Sequence, residues 1–102
     1  MRGTYLTKPE RLMKEELDRR QLVFSTQLAV RTGFILDFAF PEKRLGIEVD
    51  GEHWHSTGKQ KRRDNFRTHI LHRGGWKIIR FPEAKIYEDA KGCGDEIEAF
   101  LI

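Results

Sequence analysis

The 102-residue sequence holds a single cysteine, Cys93, which excludes an internal disulfide and a zinc site built from several thiolates. No apolar run approaches the ~18 residues that a membrane-spanning helix requires, so no membrane partner is expected. The first six residues, Met1-Arg2-Gly3-Thr4-Tyr5-Leu6, lack the apolar stretch of a secretion signal, and the chain is expected inside the cell. Repeats, low-complexity tracts and linkers are missing too. The length allows one hydrophobic core but not two. What is present is charge: 34% of residues are charged against 38% hydrophobic, the balance of a folded domain rather than a disordered chain. Cys93 itself, in Gly92-Cys93-Gly94, reads as a small residue in a turn.

The net charge of +3 is small, but its distribution is uneven. Lys59, Lys61, Arg62, Arg63, Arg67, Arg73, Lys77 and Arg80 are accompanied by one acid, Asp64, giving this segment +7. From Glu83 onward six acids and two lysines give −4. A concentrated basic segment is the footprint of a polyanion binder, although such a run also suits an ordinary solvated helix face.

Hydrophobic periodicity predicts a mixed α/β sandwich with a sheet core and the order αβββαβαα. Thr7 and Glu10 have capping-box spacing, Pro9 suits a first turn, and Leu12, Met13 and Leu17 form an apolar stripe to about Arg20. Strands are expected over Leu22 to Val30, Phe34 to Phe40, Leu45 to Asp50 and Trp76 to Phe81. A helix from about Lys61 to Arg73 is expected to carry Phe66, Ile70 and Leu71 inward and to stop at Gly74-Gly75. A short helix over Glu83 to Lys91 and a last one from Asp95 complete the order.

The second and third strands carry the chemistry. With Pro41-Glu42-Lys43-Arg44 as the hairpin loop, Phe40 pairs with Leu45 and Asp37 falls opposite Glu48. Directly opposed like charges are destabilising. Asp50, two residues beyond Glu48, shares its face. Three carboxylates on a core hairpin need a bound cation, a protonated member, or basic side chains among them. Clustered hard oxygen ligands suit Mg²⁺, Mn²⁺ or Ca²⁺, so Asp37, Glu48 and Asp50 are expected to form a metal site.

Histidines follow at once in Asp50-Gly51-Glu52-His53-Trp54-His55. Gly51 lets the chain turn, so His55, or His53, can swing over the carboxylates and take a proton from an attacking water. Two histidines with a carboxylate could hold zinc instead, and Trp54 reads as a packing residue. Asp64 either favours a helix N-terminus or orients the histidine. Glu10 is either a capping-box member or a catalytic acid. His69 and His72 are assigned no chemistry.

Together, the run Asp37-Phe38-Ala39-Phe40 through Leu45-Gly46-Ile47-Glu48-Val49-Asp50-Gly51, then His55, Arg63-Asp64 and Gly75-Trp76-Lys77-Ile78-Ile79-Arg80-Phe81, resembles the very-short-patch repair (Vsr) type of nuclease, a branch of the PD-(D/E)XK superfamily. The spacing is closest to the catalytic domains of phage intron homing endonucleases with an EDxHD signature, and the likeness runs from Thr7 to about Glu83. It implies a metal-dependent DNA endonuclease using Mg²⁺, or Mn²⁺, on double-stranded DNA. It further implies Glu10 as the acid of the first helix, Asp37 as metal-binding aspartate, Glu48 at the second acidic position, His55 as general base and Asp64 as its support. Gln27 resembles a glutamine of related domains. Lys59, Lys61, Arg62, Arg63 and Arg67 are expected to grip the DNA backbone.

Two departures matter. Asp50 stands where many PD-(D/E)XK enzymes have lysine and Vsr has histidine, and the cysteines of the Vsr zinc site are missing, so mismatch repair is not implied. A 102-residue core is small for reading a homing site, so the chain is expected to be a catalytic domain from a longer protein, with a separate DNA-recognition domain. The oligomeric state stays open, a homodimer included. The rival readings are a restriction- or transposase-type nuclease subunit, and a non-catalytic nucleic-acid-binding module on a decayed nuclease scaffold.

Overall fold

A computed structural model describes residues 5–51 and 57–102. Helix α1 runs over Lys8–Arg19, and strands β1 and β2 over Ser25–Ala29 and Ile35–Phe40. A single 3-10 turn, Pro41–Lys43, leads to β3, Leu45–Asp50. Helix α2 (Gly58–Arg73), strand β4 (Lys77–Pro82) and helix α3 (Glu83–Leu101) complete the chain. The four strands lie in the order β1-β2-β3-β4, the first three antiparallel and β4 parallel to β3. This is the mixed α/β sandwich expected. Among the described residues no helix is long and apolar enough to cross a membrane.

Local signals explain most boundaries. The Thr7 and Glu10 box is formed: the Thr7 N–H donates to Glu10 Oε1 at 2.8 Å, and the Glu10 N–H to Thr7 Oγ1 at 3.4 Å. The hairpin closes as predicted, with Phe40 paired to Leu45 and Phe38 to Ile47. Arg44 makes the turn in the left-handed region (φ 52°), donates to the Gly74 carbonyl and lies over the Trp76 ring. Helix α2 stops at Gly74, and Gly75 follows with a φ of 90°, which a glycine adopts without strain.

Four expectations need correction. The first strand is shorter than Leu22 to Val30, because Leu22 and Phe24 pack against the α1/α3 core instead of entering the sheet. The two terminal helices are one element, α3, kinked at Asp89 (φ −154°, ψ 67°), whose side chain accepts from the Gly92 N–H and caps the second half. Cys93 consequently lies inside α3 and is fully buried. Phe66 is 63% exposed, whereas Leu71 is the buried apolar residue of α2.

The sheet is covered on both faces. Phe38, Phe40, Leu45, Ile47, Ile79 and Phe81 pack with Met13 and Leu17 of α1 and Ile86, Cys93 and Ile97 of α3. On the other face Leu36 and Ala39 pack with Leu71 and Trp76. Residues two apart in a regular strand share a face. Leu36 and Phe38 do not, so the pleat breaks at Asp37. β1 pairs with β2 on either side of this level, at Thr26 with Phe38 and at Leu28 with Leu36, while Gln27 between them has a φ of 52°. That irregularity positions the site.

An ion cluster ties α1 to α3. The Arg20 guanidinium bonds Glu16 at 2.7 Å, Glu98 at 2.7 Å and Asp95 at 2.8 Å. Asp95, followed by Glu16 and Glu98, holds the Arg20 pKa above its ordinary value. Gly94 permits the approach, since a Cβ there would stand 2.7 Å from Arg20 Nε.

Candidate active site

At the level of Asp37 the β2 and β3 strands part, and side chains replace the missing rungs of the ladder. The Asp37 N–H donates to Glu48 Oε2 at 3.1 Å, and the Val49 N–H donates to Asp37 Oδ2 at 2.8 Å. Each carboxylate is thus tied to the opposite strand. A backbone donor bonded to an ionised acceptor is stronger than a neutral pair, which helps two opposed acids to coexist. They border a cleft of about 260 Å³ lined also by Glu10, Asp50, Gly51, Arg67 and Arg80. Larger hollows of about 460 and 560 Å³ lie on other faces and gather no pair of carboxylates, so the chemistry points to the smaller one.

Helix α2 meets the sheet here through charge. Asp64, Arg67, Thr68 and Leu71 recur at helical spacing on its inner side, and only Leu71 is apolar. Arg67 pairs with Glu48 at 3.0 Å, donates to the Ile35 carbonyl at 2.8 Å and stacks 5.4 Å from the Phe34 ring centroid. Arg80, opposite Glu48 in the β3–β4 register, reaches Asp50 at 3.1 Å, Asp64 at 2.6 Å and Thr68 at 3.1 Å. Burial opposes the Arg80 charge, but Asp50 and Asp64 outweigh it and raise its pKa.

These contacts bear on the expected metal set of Asp37, Glu48 and Asp50. Among the described residues no group of three or more His, Cys, Asp or Glu is arranged to hold an ion. Arginines engage two members of the expected triad: Arg67 takes Glu48 and Arg80 takes Asp50. Arg67 is likewise not free for the DNA backbone, whereas Lys59, Lys61, Arg62 and Arg63 are exposed along α2. Asp64 is bound by Arg80, and His53 and His55 lie outside the described residues. His69 and His72 are exposed.

Asp37 is different. Among the described residues it has no ion-pair partner. Burial, then the Glu48 charge, push its pKa up to about 7 against the pull of the Val49 N–H, and Glu10 adds to the rise. Burial also raises Glu48, opposed by Arg67. A carboxyl held at such disadvantage, between two further acids in a cleft, is the mark of a functional group. Its oxygens, with those of Glu10, are a donor set that suits a hard divalent cation.

Sequence reasoning missed Arg80 and the inward role of Arg67. The available signal was an arginine inside the apolar strand Lys77-Ile78-Ile79-Arg80-Phe81, where only a buried acid makes such a charge tolerable.

A sheet fork bearing an aspartate and a glutamate, with an acidic residue on the first helix, fits the nuclease-type domain of the PD-(D/E)XK kind that the sequence resembles. The sequence model of the restriction-endonuclease-like family REase_MTES_1575 matches residues 10–101, and the chain belongs to that family. Among solved structures it is similar to the "Homing Endonuclease I-Bth0305I Catalytic Domain", with a TM-score of 0.76 and 30% identity over 93% of this chain and 94% of that one. No curated protein matches it.

Proposed function

We propose that the chain is a divalent-metal-dependent DNA endonuclease, the catalytic domain of a homing-type enzyme. The carrying observation is the half-buried Asp37, held at the strand fork without a cationic partner among the described residues and pushed up to about 7. Asp37 and Glu10 would hold the ion, with Glu48 beside them. When bound, a divalent ion polarises a phosphate and lowers the pKa of water. The remaining work falls to the chain. Arg67 fixes Glu48, and Arg80 locks α2 against β3 by bonding Asp50 and Asp64 together. His55, by its resemblance to the Vsr base, accepts the proton of the attacking water. Lys59, Lys61, Arg62 and Arg63 contact phosphates, which positions DNA without specifying its sequence.

A second reading, a non-catalytic nucleic-acid-binding module, is favoured by one observation: arginines already satisfy Glu48 and Asp50. Incubation of supercoiled plasmid with Mg²⁺ or Mn²⁺ separates the two. Nicking by the parent, abolished by chelator and absent from Asp37→Ala and His55→Ala, is the expected result. Binding without nicking under either metal supports the module, and equal nicking by parent and both variants refutes the site.

A further inference from the structure

On the outer side of α2, Lys59, Arg62, Phe66, His69 and Arg73 follow one another at spacings of three and four residues, and Arg63 lies three residues before Phe66, so they share one face. Phe66 is 63% exposed at its centre. A large aromatic in water on a helix that already has its buried anchor in Leu71 contributes nothing to the core. The cations around it form no ion pair among the described residues. An aromatic ring set within uncompensated positive charge fits a nucleic acid, which offers phosphates to the cations and a π-face to the ring. A second copy of the chain fits poorly, because docking two such faces brings like charges together.

We infer that this face of α2 is a DNA-docking surface in which Phe66 stacks on an unstacked base while Arg62, Arg63 and Arg73 take the flanking phosphates. The inference rests on the nuclease reading for its choice of polyanion. The placement is consistent with it, because the same helix sends Asp64 and Arg67 to the cleft from its opposite side, and a helix is only about 10–12 Å across.

Fluorescence anisotropy of the whole chain with a labelled duplex carrying a mismatch, in EDTA, tests the inference without cleavage. Phe66→Ala is expected to weaken binding about tenfold or more at unchanged salt slope, and Phe66→Trp to retain it. Arg62→Gln with Arg63→Gln is expected to flatten the slope of log affinity against log salt by about 2. Phe66 is exposed, so far-ultraviolet circular dichroism of Phe66→Ala should match the parent. Parent-like affinity of Phe66→Ala overturns the inference, as does failure of the parent to bind duplex. Sedimentation showing that Phe66→Ala dissociates a dimer also overturns it, assigning the ring to self-association. Because binding is read in chelator, a parent that binds through Phe66 yet never nicks plasmid removes the nuclease reading and leaves this surface standing.

Discussion

Asp37→Asn should make the protein more stable and inactive at once. Asparagine keeps the shape, and its carbonyl oxygen accepts the Val49 N–H that Asp37 Oδ2 accepts at 2.8 Å. Only the charge is lost. In the folded chain Asp37 titrates at about 7, and in the unfolded chain near the ordinary ~3.9. The folded state therefore binds the proton more tightly. The stability tied to this group is complete below pH ~4, declines as the pH rises, and is gone above about 7. At ~1.4 kcal/mol per pH unit the upper bound is ~4 kcal/mol, and partial solvent access to the carboxyl lowers the expectation to ~1–3 kcal/mol. Urea denaturation of parent and variant from pH 4 to 8.5 reads this directly. The two should coincide near pH 4, and the variant should lead by ~1–3 kcal/mol above pH 8. Saturating Mg²⁺ at pH 8 should narrow the gap by stabilising the parent alone. A gap that does not vary with pH, or a variant less stable at pH 8, would refute the claim that Asp37 is desolvated against its own charge.

Arg80→Met removes the cation shared by Asp50 and Asp64 and should destabilise by ~2–3 kcal/mol at pH 7, lowering Tm by roughly 8–24 °C in a calorimetric scan, with a smaller loss at pH 4. Arg20→Met should cost about 2 kcal/mol by removing the cation shared by Glu16, Asp95 and Glu98 and leaving the buried Glu16 only the exposed Arg19; Gly94→Ala, which pushes the guanidinium off α3, should reproduce part of that loss in the same scan. With Arg67 committed to Glu48, four exposed cations near the start of α2 and Arg73 at its end remain, and the salt slope of DNA binding should be near ~−4.5; a slope near −1 would remove them from the interface.

The sequence by itself determined the α/β architecture, the hairpin register and the first capping box, because each depends on local period, turn chemistry or residues three apart. It placed Asp37 across from Glu48 through nothing more than the length of the Pro41–Arg44 connection. It also marked the basic run of α2, though not which way each side chain faces. Its helical pattern turned Phe66 inward, since apolar residues are ordinarily the buried ones; in α2 the inner face is polar because the sheet beneath it carries acids.

Only the tertiary structure decided how three clustered carboxylates are reconciled. Arg67 and Arg80 arrive from elements about 20 and 30 residues downstream, and a pairing of that range depends on where α2 and β4 come to rest, which no local pattern encodes. It decided equally the break in the pleat at Asp37 and Gln27, a consequence of opposing packing demands on the two faces of the sheet. Charge and spacing are written along the chain; the desolvation that raises Asp37 and Glu48, and the arginine that offsets it at Glu48 but not at Asp37, exist only once the core has closed.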